Sequence, residues 1–139
     1  MRYSIVTIGD LKSREVATLF TRYAQRLSRL SCHAIKDDKH WEEKLFTFLE
    51  GKNKVFLLSE DGKQFDSPSF ANFCQKEGKD GDELVFVVAA AEGFSTEMKT
   101  KYPRVSLSSL TFPHEIAVLL LVEQLYRVET IMAGKPYHK

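Results

Sequence analysis

From residue 13 to residue 30, apolar side chains return at Val16, Leu19, Phe20, Tyr23, Leu27 and Leu30. These steps of three and four place them on one face of a long amphipathic helix. Residues 2–8 read as the strand that opens the fold, and residues 32–36 as a short second strand. A second helix is expected over 40–49, ended by Gly51 in a C-cap role. Residues 54–58 form an apolar run with the character of a buried strand. Ser67 and Pro68 then have the chemistry of an N-cap and a first-turn proline, starting a third helix that Gly78 and Gly81 close. Residues 83–88 are the most β-prone run in the chain and read as a central strand. A short helix over 94–101, a last strand over 105–107 and a long helix over 113–132 complete the pattern. This β-α alternation predicts an α/β fold with a mostly parallel sheet flanked by helices, in one domain spanning residues 1–139.

The final helix carries a further implication. Ile116 to Val122 is apolar at every position, and a helix that is apolar all round is expected to be buried all round. A domain of this size has one core for it to face, so a second copy of the chain is the simplest cover for the other side. A homodimer is therefore expected.

Composition narrows the classes. The chain is 43% hydrophobic and 28% charged, the balance of a soluble globular protein. Its longest apolar run is far short of a membrane span, and residues 2–8 carry no signal-peptide pattern. A cytoplasmic address without membrane association is expected. Cys32 and Cys74 form neither a metal-ligand spacing nor a disulfide framework, and buried free thiols are expected. The net charge is only +1, but it is unevenly spread: residues 1–54 carry +4, residues 55–99 carry −5 and residues 100–139 carry +2. Basic ends around an acidic middle permit an RNA-binding surface. Arg22, Arg26 and Arg29, beside the apolar stripe of the first helix, form either a solvated face or a ridge for phosphates.

In open α/β sheets, ligands bind beyond the C-terminal ends of the strands. Three loops lie there. Residues 58–62 read as a polar turn. Residues 89–93, Ala-Ala-Ala-Glu-Gly, follow the central strand, and their small side chains would let a ligand approach the backbone. Residues 106–114 offer serine and threonine hydroxyls and lead into a helix N-terminus whose dipole favours electron-rich atoms. His114 stands in that first turn, as a cap or as a catalyst. Glu123 and Arg127 are i, i+4 partners with the spacing of a helix-surface ion pair.

Three strings, Ser-Leu-Ser-Ser-Leu-Thr-Phe-Pro-His at 106–114, Glu-Gln-Leu-Tyr-Arg at 123–127 and Pro-Tyr-His-Lys at 136–139, closely resemble the SPOUT-superfamily ribosomal RNA large subunit methyltransferase H family. Weaker matches occur at Leu57-Leu58, Gly62, Asp66-Ser67 and Glu92-Gly93. The resemblance implies a homodimer with a C-terminal trefoil knot that binds S-adenosyl-L-methionine. It also implies methylation of N3 of a pseudouridine in large-subunit ribosomal RNA of the assembled ribosome, with no metal. By position, cofactor contacts would fall on Leu58, Ala90, Ser108, Ser109, Leu110, Thr111, Phe112 and Pro113. Tyr137 and His138 would complete the neighbouring subunit's substrate pocket. His114 and His138 have the residue type of a general base, and Arg127 that of a stabiliser of developing negative charge. The chain departs from the family at Ala89 and Ala90, where the family has paired glycines, and at Val118, where it has an arginine. These departures keep open a second reading, a knotted ribosome-binding protein impaired in catalysis. A flavodoxin-like nucleotide-binding protein would share the alternation but lacks a phosphate-binding glycine fingerprint.

Overall fold

The computed structural model describes residues 1–138. Five strands, β1 (Arg2–Ile8), β2 (Leu30–Ile35), β3 (Lys54–Gln64), β4 (Glu83–Val88) and β5 (Arg104–Ser106), alternate with α1 (Arg14–Ala24), α2 (Trp41–Leu49), α3 (Ser67–Glu77), α4 (Thr96–Lys101) and α5 (His114–Met132). They form one sheet in the order β2-β1-β4-β3-β5, and every pairing is parallel. The central position expected for residues 83–88 is observed. Alternation along β4 serves two cores: Leu84, Phe86 and Val88 face α3 and α5, while Val85 and Val87 face α2 and α4. Both faces of a parallel sheet are thereby covered, which is why this strand reads as a continuous apolar run.

Several boundaries differ from the sequence reading. The first helix ends at Ala24 instead of running to residue 30. A turn follows, Leu27 folds into the core, and the Tyr3 amide bonds the Arg29 carbonyl. Only Arg22 of the three arginines is therefore helical, and the expected ridge is broken. The cap of α3 is Asp66, whose carboxylate accepts from the Ser69 amide at 2.8 Å, with Ser69 reciprocating; Ser67 is already in the first turn. Cys74 is buried as expected, but Cys32 is exposed on edge strand β2. Val118 is only 1% exposed and sits in the core, so it faces no ligand cavity.

The final helix is not buried on all sides of the single chain. Val118, Leu121, Val122, Leu125 and Val128 are in the core, whereas Ile116 and Leu120 are 37% and 36% exposed. With Leu19 of α1, 39% exposed, they leave apolar surface uncovered on the layer where α1 and α5 pack together.

Residues 58–62 are not a turn. They belong to β3, which continues through a register shift and pairs with β5 twice: Val105 is the partner of both Leu58 and Lys63. The two limbs of β3 thus hold the short last strand between them. Gly62 makes this possible. A Cβ there would lie 2.7 Å from the Val105 carbonyl carbon and 2.8 Å from that of Arg104, against backbone that cannot swing aside. Gly62→Ala is therefore expected to destabilise the fold by about 2 kcal/mol, the cost of overpacking a tight contact. Urea unfolding checks this, with Gly78→Ala as a comparison in which the close neighbour includes the flexible end of Met1.

Candidate active site

The ends of β3, β4 and β5 open into a cleft of about 260 Å3. Leu58, Ser59 and Glu60 form one wall, residues 88–94 the second, and Leu107, Ser108, Leu110, Thr111 and Phe112 the third, with His114 and Ala117 of α5 at the junction. Leu58, Ala90, Ser108, Leu110, Thr111, Phe112 and His114 are thus brought together as their positions suggested. Ser109 is exposed and outside the lining. Pro113 lines a separate hollow on the other side of His114. Lys99 of α4 also lines the cleft, and no sequence pattern announced it.

The walls are shaped by local chemistry. Ser106 Oγ donates to the Ser108 carbonyl at 2.8 Å, and Ser108 Oγ accepts from the Leu110 amide at 3.0 Å. These contacts fix the loop; the Ser106 hydroxyl hydrogen is used within it, whereas Ser108 Oγ only accepts and keeps its own hydrogen to donate. The 90–93 turn closes through the Gly93 amide on the Ala90 carbonyl at 3.0 Å, with Gly93 taking the positive φ of 71°. Among the described residues none but glycine has positive φ, so Ala89 and Ala90 sit in ordinary backbone and carry no strain of that kind. Behind the cleft, Asp61 accepts from Ser59, Lys99 and Arg104, contacts that hold its carboxyl below the ordinary range, the serine contributing most.

Among the described residues, His114 is the one imidazole lining this cleft. Its Nδ1 lies 3.0 Å from the Ala89 carbonyl oxygen. A carbonyl only accepts, so Nδ1 carries the hydrogen, and in the uncharged ring Nε2 keeps its lone pair. Nε2 is buried with no partner. His114 also lines the second hollow and so divides the two cavities.

Arg127 and His138 lie elsewhere. Thirteen residues separate His114 from Arg127, about 20 Å along a helix. There the C-terminal tail folds back onto α5. Arg127 Nη2 donates to Glu123 Oε2 at 2.7 Å, and the Tyr137 hydroxyl donates to the same oxygen at 2.8 Å. The guanidinium carbon lies 4.8 Å from the Tyr137 ring centroid, and Tyr126 meets that ring edge-on at 4.7 Å. Glu123 and Arg127 are therefore a half-buried clamp on the tail, not an open surface pair. The hydrogen bond to Glu123 raises the Arg127 pKa further. Arg127 Nη1 stands 3.1 Å from His138 Nδ1. Arginine only donates, so His138 Nδ1 accepts and its lone pair is already engaged.

The profile of the family described as "Predicted SPOUT methyltransferase" matches residues 1–138. The chain belongs to the SPOUT methyltransferase family. A protein of Prochlorococcus marinus strain NATL2A, named ribosomal RNA large subunit methyltransferase H, is 37% identical over 140 residues, covering 99% of this chain and 95% of its own. One of the same name from Christiangramia forsetii is 34% identical over 155 residues, covering 99% of each. Among solved structures, a probable methyltransferase from Bordetella pertussis superposes with a TM-score of 0.64 at 10% identity, covering 91% of this chain and 93% of that one. A probable methylase family protein from Haemophilus influenzae gives 0.60 at 12% identity, over 95% and 66%. These two share the fold.

The tail clamp makes a measurable claim. Glu123→Ala and Tyr137→Phe should each destabilise the fold, and together by less than their sum. The coupling expected in a double-mutant cycle followed by thermal unfolding is about 2 kcal/mol, that of one hydrogen bond to a charged group.

Proposed function

We propose that this SPOUT methyltransferase is a homodimer that uses S-adenosyl-L-methionine to methylate large-subunit ribosomal RNA, at N3 of a pseudouridine in the assembled ribosome. The observation that carries the reading is the cleft: three strand-end loops meet around His114, in a chain whose full-length relatives are named for that RNA. The cleft's residues fit the cofactor. Leu58, Leu107 and Phe112 offer apolar surface, and Glu60 and Glu92 place carboxylates beside a molecule that carries a sulfonium and an ammonium. The unstrained Ala90 narrows the wall by one methyl group without distorting it. When bound, S-adenosyl-L-methionine supplies an electrophilic methyl group. The pairing of Val105 with both Leu58 and Lys63 is consistent with the knotted topology of the family.

His114 is the proton acceptor in this reading. Its tautomer leaves Nε2 free to accept, whereas His138 presents only a donor beyond its bond to Arg127. With the cofactor bound to supply the methyl group, His114 Nε2 would take up the N3 proton as the ring nitrogen is methylated. Alignment by the cleft walls contributes much of the rate.

The separation of Arg127 and His138 from His114 supports the dimer. One chain cannot bring both groups to one substrate, and the uncovered Leu19, Ile116 and Leu120 surface suits a second copy. The partner's tail then completes the cleft with Tyr137 and His138.

Ribosomal RNA from cells with and without the gene, compared by mass spectrometry, should differ by one methylated pseudouridine; identical RNA overturns the reading. Sedimentation at low micromolar concentration should give twice the 15.9 kDa chain mass, and Leu120→Asp should give monomer. Calorimetry should detect cofactor binding, which Ala90→Gly tightens by no more than about tenfold, or about 1.4 kcal/mol. If only the Ala90→Gly protein binds, the catalytically impaired reading stands. His114→Gln should slow single-turnover methylation about a hundredfold while cofactor affinity holds, as expected for loss of a general base.

A further inference from the structure

The first turn of α5 carries two neighbouring side chains that are tied to different parts of the fold. His114 Nδ1 donates to the Ala89 carbonyl at 3.0 Å, at the end of β4. Glu115 Oε1 accepts from the Ser13 amide at 2.9 Å, at the start of α1. Consecutive residues on a helix point about 100° apart, so the two bonds hold the turn from two directions. Resting on the methyltransferase reading, we infer that Glu115 is a positioning residue for the proton transfer: by tying the start of α5 to the start of α1, it keeps His114 in the tautomer whose Nε2 accepts.

The turn needs such a tie. The N-cap of α5 is Pro113, which has no side-chain group to bond the free amides of the first turn. An uncapped helix end frays, and His114 and Glu115 are its first two residues.

The start of α1 has the complementary need. Its N-cap, Ser13, accepts from the Val16 amide through its hydroxyl, but Val16 has no side-chain group to accept from the Ser13 amide in return. In α3 the corresponding acceptor is local, Ser69 Oγ for the Asp66 amide. In α1 it is Glu115, 102 positions along the chain. The carboxylate thus lies at the N-termini of both helices, where both dipoles favour a negative charge. Among the described residues it makes no ion pair, so the Ser13 amide is the contact that directs it.

The hydrogen bond at one imidazole nitrogen decides whether the other is a donor or an acceptor. Only while the turn stays wound does Nδ1 reach the Ala89 carbonyl, and only then is Nε2 fixed as an acceptor. A loosened turn frees the ring to carry its hydrogen on either nitrogen, and the Nε2–H form accepts no proton at that atom.

Three variants separate reach from charge. Glu115→Gln keeps an oxygen at the same reach and removes the charge. Glu115→Asp keeps the charge and shortens the reach by one carbon. Glu115→Ala removes both. In single-turnover methylation of ribosomes, Glu115→Asp and Glu115→Ala should be about tenfold slower than wild type, and Glu115→Gln should stay within about twofold of it. Cofactor affinity should hold in all three. Nitrogen-15 imidazole spectra, recorded without cofactor or RNA, should place the His114 hydrogen on Nδ1 in wild type and in Glu115→Gln. They should show a mixture of tautomers in Glu115→Asp and Glu115→Ala. A Glu115→Asp protein with the wild-type rate and imidazole spectrum, or a Glu115→Gln protein as slow as Glu115→Ala, would overturn the positioning role. If Glu115→Ala does not fold, the contrast between Glu115→Asp and Glu115→Gln decides alone. A wild-type protein that leaves ribosomes unmethylated overturns the functional reading instead, and the imidazole spectra still decide whether Glu115 fixes the tautomer.

Discussion

Everything that follows Val105 depends on where one backbone contact places it. Gly62 lets β3 pass within van der Waals reach of the Arg104–Val105 backbone, and both limbs of β3 then bond to β5. A three-residue strand has little pairing energy of its own. Held on two sides it becomes a fixed origin for the loop 107–113, and that loop is the third wall of the cleft. The serines within the loop then set its path locally. Precision at the site is therefore inherited from a crossing of main chains, and only secondarily from side chains that face the cavity.

The same economy of means appears along α5. Its first turn supplies His114, its middle fills the core with Val118, Leu121 and Val122, and its last turns hold the returning tail through Glu123 and Arg127. One rigid element thus spaces two groups of polar residues at a fixed separation. Were a two-fold partner laid against the apolar Ile116–Leu120 edge, as proposed, that separation would become a register, because the length of the helix would decide which tail meets which cleft.

The alternation of strands and helices was legible because each element carries its own period, and β4 is recognisable by a run that satisfies two cores at once. The cleft was half legible. Small residues after β4 and the 106–114 string pointed to it, but Lys99 came from a helix whose sequence has no distinguishing pattern. The reading of residues 58–62 as a turn failed for a physical reason. Ser, Glu, Asp and Gly have turn propensities, yet here glycine meets a steric demand from a strand more than forty residues away in sequence, which no local rule contains. The expectation that α5 is buried all round stopped short at Ile116 and Leu120 because periodicity specifies a face without specifying which chain covers it. Cys32 is exposed because its strand lies at the sheet edge, a fact of strand order.

The group that orients His114 is a main-chain carbonyl at the end of the central strand. A carbonyl belongs to every amino acid alike. The side chain at position 89 can therefore drift from glycine to alanine, and the proton on the imidazole stays where the backbone put it. The tautomer of His114 is encoded by the path of the chain, and it is as durable as the strand that carries it.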